Sequence, residues 1–277
     1  MNYQFRQQTQ LTTACILAAG TGSRLHPLTE SMPKCLTEVH GRSILERLVT
    51  SLREQGFKRL VFVLGHLEHC IRRWLEVHAA DFIIEYVSSP LYAETNNLYS
   101  LWLARNQIKE PFLLIESDLV FGSPLLNALK YPDRIAISRQ LPWMNGTTVT
   151  VDAHRVSEFF VGANSSTNEE RYKTVNICSL SESSWRLVVA RLDQYVSEGR
   201  VNEYYESVFR DLVSEGRLNF HPVLFDEHCW YEIDTIEDLR CAQKTFARTE
   251  IREADTQPSP GFQRVELQNP QRRVPVG

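Results

Sequence analysis

The sequence ILAAGTGSRL at residues 16–25, followed by MPKCL at residues 32–36, decides how the rest of the chain is interpreted. The small apolar residues from Ala14 to Ala19 predict a buried strand. We expect Gly20 and Gly22 to turn the backbone with φ above zero and to bring N–H groups close to an anion, because no Cβ stands in the way. The stretch therefore predicts a turn that binds phosphate.

Two cationic side chains follow this turn. Arg24 is a rigid fork of donors suited to phosphate oxygens, and Lys34 adds a mobile point charge. Two better-known glycine-rich motifs do not fit: a P-loop needs lysine where Ser23 stands, and a dinucleotide fingerprint needs a third glycine where Leu25 stands. The turn therefore belongs to another kind of nucleotide site.

Composition excludes several functional classes. The 277 residues include 34 acidic and 30 basic ones without a long basic run, which argues against non-specific nucleic-acid binding. The six cysteines form no C-x-x-C pair, so neither a zinc site nor a disulfide framework is indicated. We expect a reducing, cytoplasmic location and no membrane-spanning segment, because the N-terminus is polar and the apolar runs are short. The oligomeric state stays open, a homodimer included.

The first half of the chain alternates between strands and helices. After the first strand we expect helix 43–56, strand 60–64, helix 66–78, strand 82–87, helix 96–108 and strand 112–115. This alternation predicts an α/β fold of Rossmann-like type, with a mixed, mostly parallel central sheet and helices on both faces.

The second half has shorter segments that are typical of antiparallel additions. We expect strands 147–151 and 174–178, helices 182–197 and 202–214, a strand pair 220–225 and 230–233, and a closing helix from residue 236. The expected organisation is a polar lead at 1–12, one domain at 13–248 with a nucleotide part (13–134) and an acceptor part (135–248), and a flexible polar tail at 249–277.

Two aspartates stand at the ends of apolar strands. Asp118 follows the strand at 112–115, and Asp234 follows the strand at 230–233 and precedes a helix. Open α/β sheets bind ligands outside the carboxyl ends of their strands, and two carboxylates suit a hard divalent ion such as Mg²⁺. An aspartate that only caps a helix or turn is the alternative for either position.

The glycine turn and the later Pro-Lys-Cys-Leu resemble the signature of the sugar-phosphate nucleotidyltransferase superfamily, in which L-A-A-G-x-G-x-R-L and P-K-x-L hold a nucleoside triphosphate. The resemblance implies metal binding by Asp118 and Asp234, with Lys34 on the α-phosphate and acceptor and Arg24 on the departing pyrophosphate. It implies nucleotide binding by seven consecutive residues, Leu17, Ala18, Ala19, Gly20, Thr21, Gly22 and Ser23.

A further segment, Asn-Asn-Leu-Tyr-Ser at residues 96–100, is similar to the cytidylyltransferase branch that activates phosphocholine and aminoalkylphosphonates. The similarity extends through Glu-Ser-Asp at 116–118 and Tyr-Glu-Ile-Asp at 231–234, and it covers residues 13–246. It implies that Asn97 and Ser100 contact the nucleotide. A capped helix start with packed aromatic residues is the alternative explanation of this segment.

Acceptors of that branch carry an ammonium group, which aromatic faces and carboxylates bind. The candidate acceptor residues are Trp143, Tyr204 and Tyr205, with Glu203 and Glu232 as counter-charges and Lys173 for the acceptor phosphonate or phosphate. Each of these residues also has an ordinary explanation, as a core aromatic side chain or a surface charge.

The leading hypothesis is a Mg²⁺-dependent enzyme that transfers CMP from CTP to 2-aminoethylphosphonate or phosphocholine and releases pyrophosphate. The first alternative is a nucleotidyltransferase for a sugar-1-phosphate or an inositol phosphate. The second alternative is a non-catalytic, nucleotide-binding regulatory module.

Overall fold

The computed structural model describes residues 10–141, 144–162 and 170–246. The strands β1 to β13 are, in chain order, Thr13–Ala18, Glu38–Val39, Arg42–Ser43, Arg59–Leu64, Ile83–Ser88, Phe112–Glu116, Leu119–Phe121, Arg134–Arg139, Thr148–Asp152, Arg155–Phe160, Tyr172–Leu180, His221–Phe225 and Trp230–Glu232. The helices α1 to α6 are Ile44–Glu54, Glu68–His78, Asn97–Ala104, Glu182–Ser197, Glu206–Ser214 and Ile236–Thr245. Short 3-10 helices cover Ser23–Leu25, Lys34–Leu36 and Ser123–Lys130.

A nine-stranded mixed sheet forms the centre of the fold. Its order is β10-β9-β11-β6-β1-β4-β5, with β8 beside β11 and β12 beside β8. Only β10 and β11 run against the direction of the other strands in this sheet. The expected mixed, mostly parallel α/β fold is therefore confirmed.

The alternation of side chains along β1 explains why helices cover both faces of the sheet. Ile16 packs into one apolar cluster with α1 and α2, whereas Cys15 and Leu17 pack into another with α3, α4 and α5. Successive residues of a strand point to opposite faces, so a wholly apolar strand needs a helical layer on each side. The burial of both faces fixes β1, and with it the turn that follows at Gly20.

The two strands expected as a pair near residues 220–233 exist but do not pair with each other, so this expectation is wrong. β12 runs parallel to β8 at the edge of the main sheet, whereas β13 pairs antiparallel with β7 in a separate two-stranded sheet. The register of the second pair sets Glu232 opposite Leu119. This pairing brings the chain after β13 next to the chain before β7.

Two predicted helices are shorter than expected. The helix expected at 96–108 spans Asn97–Ala104, and the one expected at 202–214 begins at Glu206. The division into a nucleotide part and an acceptor part remains a prediction, although β6 and β11 join both parts in one sheet. Among the helices within the described ranges, none combines the length and the apolar character that crossing a bilayer requires.

Candidate active site

One cavity of about 820 Å³ opens at the carboxyl ends of β1 and β6. Its wall includes most of the residues that the sequence suggested: residues 17–24, Lys34, Asn97, Ser100, Asp118, Lys173, Tyr204, Glu232 and Asp234. This edge of the sheet is where open α/β sheets bind their ligands. The fold thus brings the expected nucleotide and metal residues into one space with three of the expected acceptor residues.

The glycine turn differs from its prediction at one position. Gly22 has φ of 63°, and a Cβ there would lie 3.0 Å from the Cβ of Lys34, so both conformation and space require glycine. Gly20 is outside the left-handed region, and a Cβ added to it would meet nothing within 4 Å. The expectation of positive φ is therefore wrong for Gly20, whose backbone instead borders the open cavity.

Lys34 lies between the two aspartates. Its Nζ donates to Asp118 Oδ2 at 2.8 Å and to Asp234 Oδ1 at 2.6 Å, while Arg24 Nη2 lies 2.8 Å from the same Asp234 oxygen. Burial by itself would lower the pKa of Lys34, but the two carboxylates outweigh it and raise that pKa overall. Lys34 is therefore a fixed positive charge at the centre of the cavity.

The same contacts act on Asp234. Burial alone would raise its pKa, but Lys34 and Arg24 outweigh burial and lower it. The first turn of α6 fixes the chain after Asp234, because Thr235 and Asp238 form a reciprocal capping box and the Asp234 N–H donates to Asp238 Oδ2 at 3.2 Å. The aspartate is therefore ionised and held in place.

Asp118, Glu232 and Asp234 form a group of acidic side chains that we call the acidic cluster. Each offers a carboxylate oxygen, and these oxygens lie within 4.8 Å of one another. The β7–β13 pairing creates the cluster, since the Ile233 N–H donates to the Asp118 carbonyl at 3.0 Å. Asp118 Oδ1 is buried without a hydrogen-bond partner among the described residues. An unpartnered buried carboxylate oxygen and two neighbouring carboxylates fit a hard divalent cation.

The part of the cavity around Lys173, Glu206 and Glu232, which we call the inner end, contains a buried lysine. Lys173 is 2% exposed, donates to the Thr174 carbonyl at 2.5 Å, and has its Nζ 3.4 Å from Glu232 Oε2. The ring centroid of Trp230 lies 6.0 Å from the same nitrogen. The expected acceptor residues Lys173 and Glu232 are therefore in contact.

Carboxylates outnumber the lysine at this inner end. Burial raises the pKa of Glu206 to about 7 and raises that of Glu232, and burial followed by neighbouring acidic charges raises the pKa of Glu116 well above its usual range. Glu206 Oε2 has no hydrogen-bond partner among the described residues. An additional positive charge at the inner end would stabilise these groups.

Several cavity residues had no assigned role in the sequence, and three of them, Glu116, Asn176 and Glu206, have polar side chains that the site uses. Glu206 begins α5, and its sequence neighbours gave no sign that its side chain would be buried. Asn176 lies within β11, where alternation predicts only its face. Glu116 adjoins Asp118 in the Glu-Ser-Asp segment, which was the one local signal that could have identified it.

Asn97 connects three parts of the protein. Its Nδ2 donates to Glu116 Oε1 at 3.1 Å, and its Oδ1 accepts from the Tyr205 N–H at 3.0 Å. Both ends of its side chain therefore already have partners, although the residue also lines the cavity. Its contact with the nucleotide remains a prediction.

Two of the expected acceptor residues within the described ranges do not line the cavity, and a third lies outside those ranges. Glu203 lies outside the lining and pairs with Arg200 at 2.6 Å. Tyr205 is 2% exposed and packs in the core against Phe209. Trp143 lies outside the described residues. Of the candidate aromatic acceptor residues, Tyr204 lines the cavity, and it is 50% exposed.

Curated relatives share sequence with most of this chain. It is 32% identical over 242 residues to the CMP-5'-(3-aminopropyl)phosphonate synthase of Streptomyces rubellomurinus, covering 84% of this chain and 38% of that protein. It is 28% identical over 246 residues to the bifunctional IPC transferase and DIPP synthase of Aquifex aeolicus, covering 87% of this chain and 53% of that protein. The chain thus spans about half or less of the length of these two relatives.

A shorter relative matches over nearly its whole length. The choline-phosphate cytidylyltransferase of Streptococcus pneumoniae is 25% identical over 233 residues, covering 82% of this chain and 95% of that protein. The 2-aminoethylphosphonate cytidylyltransferase of Lancefieldella rimae is also 25% identical, covering 82% of this chain and 90% of that protein.

Solved structures share the fold. The CTP:phosphocholine cytidylyltransferase of Streptococcus pneumoniae superposes with a TM-score of 0.73 at 21% identity, covering 85% of this chain and 98% of that one. The inositol-1-phosphate CTP transferase of T. maritima gives 0.72 at 19% identity, covering 89% and 98%. The family model of the MobA-like NTP transferase domain matches residues 14–254, and the protein therefore belongs to that family.

Proposed function

We propose that the protein is a CTP-dependent cytidylyltransferase that transfers CMP to a small aminoalkylphosphonate or to phosphocholine and releases pyrophosphate. One observation carries this proposal: a single cavity joins the glycine turn and its two cations to the acidic cluster and to a buried, carboxylate-rich inner end. These parts match, in order, a triphosphate, a divalent cation and an acceptor that bears an amine.

The part of the cavity around Gly22, Arg24 and Lys34, which we call the outer end, suits the triphosphate. Gly22 turns the backbone beside Lys34, and Arg24 is 68% exposed at its side chain, so it is free to move from Asp234 onto an incoming phosphate. In the proposed complex, Arg24 and the N–H groups of residues 20–23 bind the β- and γ-phosphates, and Lys34 binds the α-phosphate.

Asp118, Glu232 and Asp234 are the residues that would hold a divalent cation, for which Mg²⁺ is the natural candidate because all the ligands are oxygen. Such an ion, when bound, would neutralise charge on the phosphate oxygens. The unpartnered Asp118 Oδ1 is the structural support for this assignment.

The reaction needs no nucleophile from the protein. An oxygen of the acceptor phosphonate or phosphate attacks the α-phosphorus, a new P–O bond forms, and the bond from the α-phosphorus to the bridging oxygen of the leaving pyrophosphate breaks. The second ionisation of a phosphoryl group has a pKa of about 6, so the attacking oxygen is largely ionised at neutral pH and requires no general base. Lys34, at the centre, positions both reactants and stabilises the developing charge.

The inner end favours an acceptor with a positive charge. Glu206 and Glu232 face one lysine there, Glu116 is close enough to both to be repelled by them, and burial disfavours the ionised form of each carboxylate. An ammonium group on the acceptor would restore the balance of charge, and Tyr204 offers an aromatic surface beside it. A sugar or inositol phosphate carries no such charge.

The choice of CTP is supported by the names of the relatives. Those that transfer CMP or cytidylyl groups act, by their names, on aminoalkylphosphonates or choline phosphate. The structural neighbour named for inositol-1-phosphate also uses CTP, which makes inositol phosphate the second candidate acceptor.

The direct test is release of pyrophosphate by the purified protein with Mg²⁺, each nucleoside triphosphate in turn, and an acceptor panel. The panel contains 2-aminoethylphosphonate, 3-aminopropylphosphonate, phosphocholine, inositol-1-phosphate and glucose-1-phosphate. We expect turnover with CTP and the three amine-bearing acceptors.

Turnover confined to inositol-1-phosphate or glucose-1-phosphate would replace the proposed acceptor class. No turnover with any pair, together with tight CTP binding, would indicate a non-catalytic nucleotide-binding module.

A further inference from the structure

Asn176 has an unusual backbone for a residue inside a strand. It lies within the nine-residue strand β11 but has φ of 58°, in the left-handed region that side-chain-bearing residues seldom adopt. Strain of this kind persists where the surroundings enforce it, and it concentrates at functional sites. The contacts of the side chain show what this conformation achieves.

The strand bulges at the same point. Between its pairs with β8, β11 advances from Thr174 to Cys178 while β8 advances only from Ile137 to Ile135. β11 therefore contains extra residues opposite β8, and a bulge of this kind changes the direction in which a side chain points. Asn176 stands in the bulge, and its side chain lines the cavity.

Both ends of the Asn176 amide are used. Nδ2 donates to Glu232 Oε1 at 3.0 Å, and Oδ1 accepts from Thr174 Oγ1 at 3.3 Å. Thr174 shares this proton with the Thr147 carbonyl, at 3.0 Å, and the amide orientation follows instead from Glu232, because a carboxylate only accepts hydrogen bonds. The bulge therefore delivers one neutral donor to one carboxylate of the acidic cluster.

Glu232 needs such a donor. Its carboxylate lies within 4.8 Å of ligand oxygens of Asp118 and Asp234, whose negative charges repel it. The Nζ of Lys173 lies 3.4 Å from the other oxygen, Oε2, and its hydrogen bond to the Thr174 carbonyl fixes its position at that distance. A donor at Oε1 keeps the carboxylate in the cluster without adding a positive charge that would compete with a metal ion.

We infer that Asn176 is a positioning residue that holds Glu232 in the acidic cluster, so that three carboxylates rather than two bind the divalent cation. This inference rests on the proposed metal-dependent function. Residues that orient metal ligands in this way typically change metal affinity by about 10- to 100-fold when removed.

The test is the substitution Asn176→Gly, because glycine adopts a positive φ without strain and removes the side-chain amide. Mn²⁺ binding is titrated by electron paramagnetic resonance in the presence of the α,β-methylene analogue of CTP. We expect the Mn²⁺ dissociation constant to rise by about tenfold or more, while the metal-free protein stays folded at the temperature of the measurement.

The matched control is Ala153→Gly, at another position with positive φ, 45°, in the exposed turn between β9 and β10. It should leave Mn²⁺ affinity unchanged. Asn176→Ala, which also removes the amide and adds no charge, should weaken Mn²⁺ binding to a similar extent, and it decides the question if the glycine variant melts early.

The outcomes distinguish the role of Asn176 from the proposed metal-dependent function. Unchanged Mn²⁺ affinity in both Asn176 variants, with normal binding by the wild type, would overturn the role of Asn176 alone. Absence of Mn²⁺ binding by the wild-type protein would overturn the proposed metal-dependent function along with it.

Discussion

The outer and inner ends of the cavity differ in how they balance charge. At the outer end, Arg24 and Lys34 pair with Asp234 and Asp118, and their cationic groups are close to the turn that receives phosphate. At the inner end, Glu206 is buried near Lys173 but forms no ion pair with a cation among the described residues, and it lies close to two further carboxylates, Glu116 and Glu232. From this difference we propose that the outer end binds an anion and the inner end binds a cation.

The largest effect is expected at the boundary between the two ends. Asp118→Asn removes a carboxylate from the acidic cluster and should lower kcat by about 10³-fold, because positioning and electrostatics supply most of the acceleration. The melting temperature of the protein without ligands should stay nearly unchanged. Pyrophosphate release and thermal melting measure the two quantities.

The control for this substitution is Asp193→Asn, which removes an exposed ion pair with Arg105. Surface ion pairs contribute about 0–1 kcal/mol to stability, so kcat and the melting temperature should both stay close to the wild-type values. Collapse of the fold in Asp118→Asn would mean that the aspartate is structural.

A smaller effect is expected at the inner end. Glu206→Gln removes a buried negative charge and should lower kcat/KM for 2-aminoethylphosphonate by about 10- to 100-fold, the usual worth of a hydrogen bond to a charged group. The KM for CTP should change by less than about twofold, since the proposed binding site of CTP is the outer end. An equal loss for both substrates would abolish the distinction between the ends.

Glu206 also predicts a pH dependence of stability. Burial raises the pKa of Glu206 in the folded protein to about 7, from 4.5. Below pH 4.5 the side chain is neutral in the folded and the unfolded state and does not reduce the stability of the protein. The free energy of unfolding then falls as the pH rises towards 7. The loss is at most about 3 kcal/mol, and the neighbouring charges of Lys173 and Glu232 modify it. Thermal melting between pH 5 and pH 8 should show a decline in the wild type that is reduced in Glu206→Gln.

The glycine turn allows a comparison within the outer end. Gly22→Ala forces a Cβ into the left-handed region and against Lys34, and it should destabilise the protein by about 1–2 kcal/mol. Gly20→Ala meets nothing within 4 Å and should leave the melting temperature unchanged. Equal melting of the two variants would show that the turn tolerates a side chain at either position.

The smallest effect is expected at Glu203, which the sequence suggested as an acceptor residue. Because it pairs with Arg200 outside the cavity, Glu203→Gln should change kcat/KM for any acceptor by less than about twofold. A large loss in acceptor kinetics would place Glu203 in the binding site after all.

The outer end was readable from the sequence because its parts are local. A strand, a glycine turn and an arginine follow one another, so spacing alone relates Gly22 to Arg24. The carboxyl-end rule then placed Asp118 beside them. The mixed α/β fold followed equally well from local alternation of strands and helices.

The inner end was predicted only in part: the family resemblance suggested Lys173 and Glu232, but the other parts meet only through strand pairing. Glu232 joins Asp118 through the β7–β13 register, which no local pattern encodes. Asn176 reaches the cavity through a bulge, and bulges interrupt the alternation from which strand faces are predicted. Glu206 is a buried carboxylate at the start of a helix, where an exposed charge is the usual expectation.

The most direct test of the proposed function compares two acceptors that differ only in the amine. With CTP and Mg²⁺, kcat/KM is measured for 2-aminoethylphosphonate and for ethylphosphonate. If the inner end binds the ammonium group, ethylphosphonate should be worse by about 10- to 100-fold, the cost of leaving a buried charge without its partner. Equal values for the two acceptors would contradict the assignment of the inner end to a cation and, with it, the proposed acceptor class.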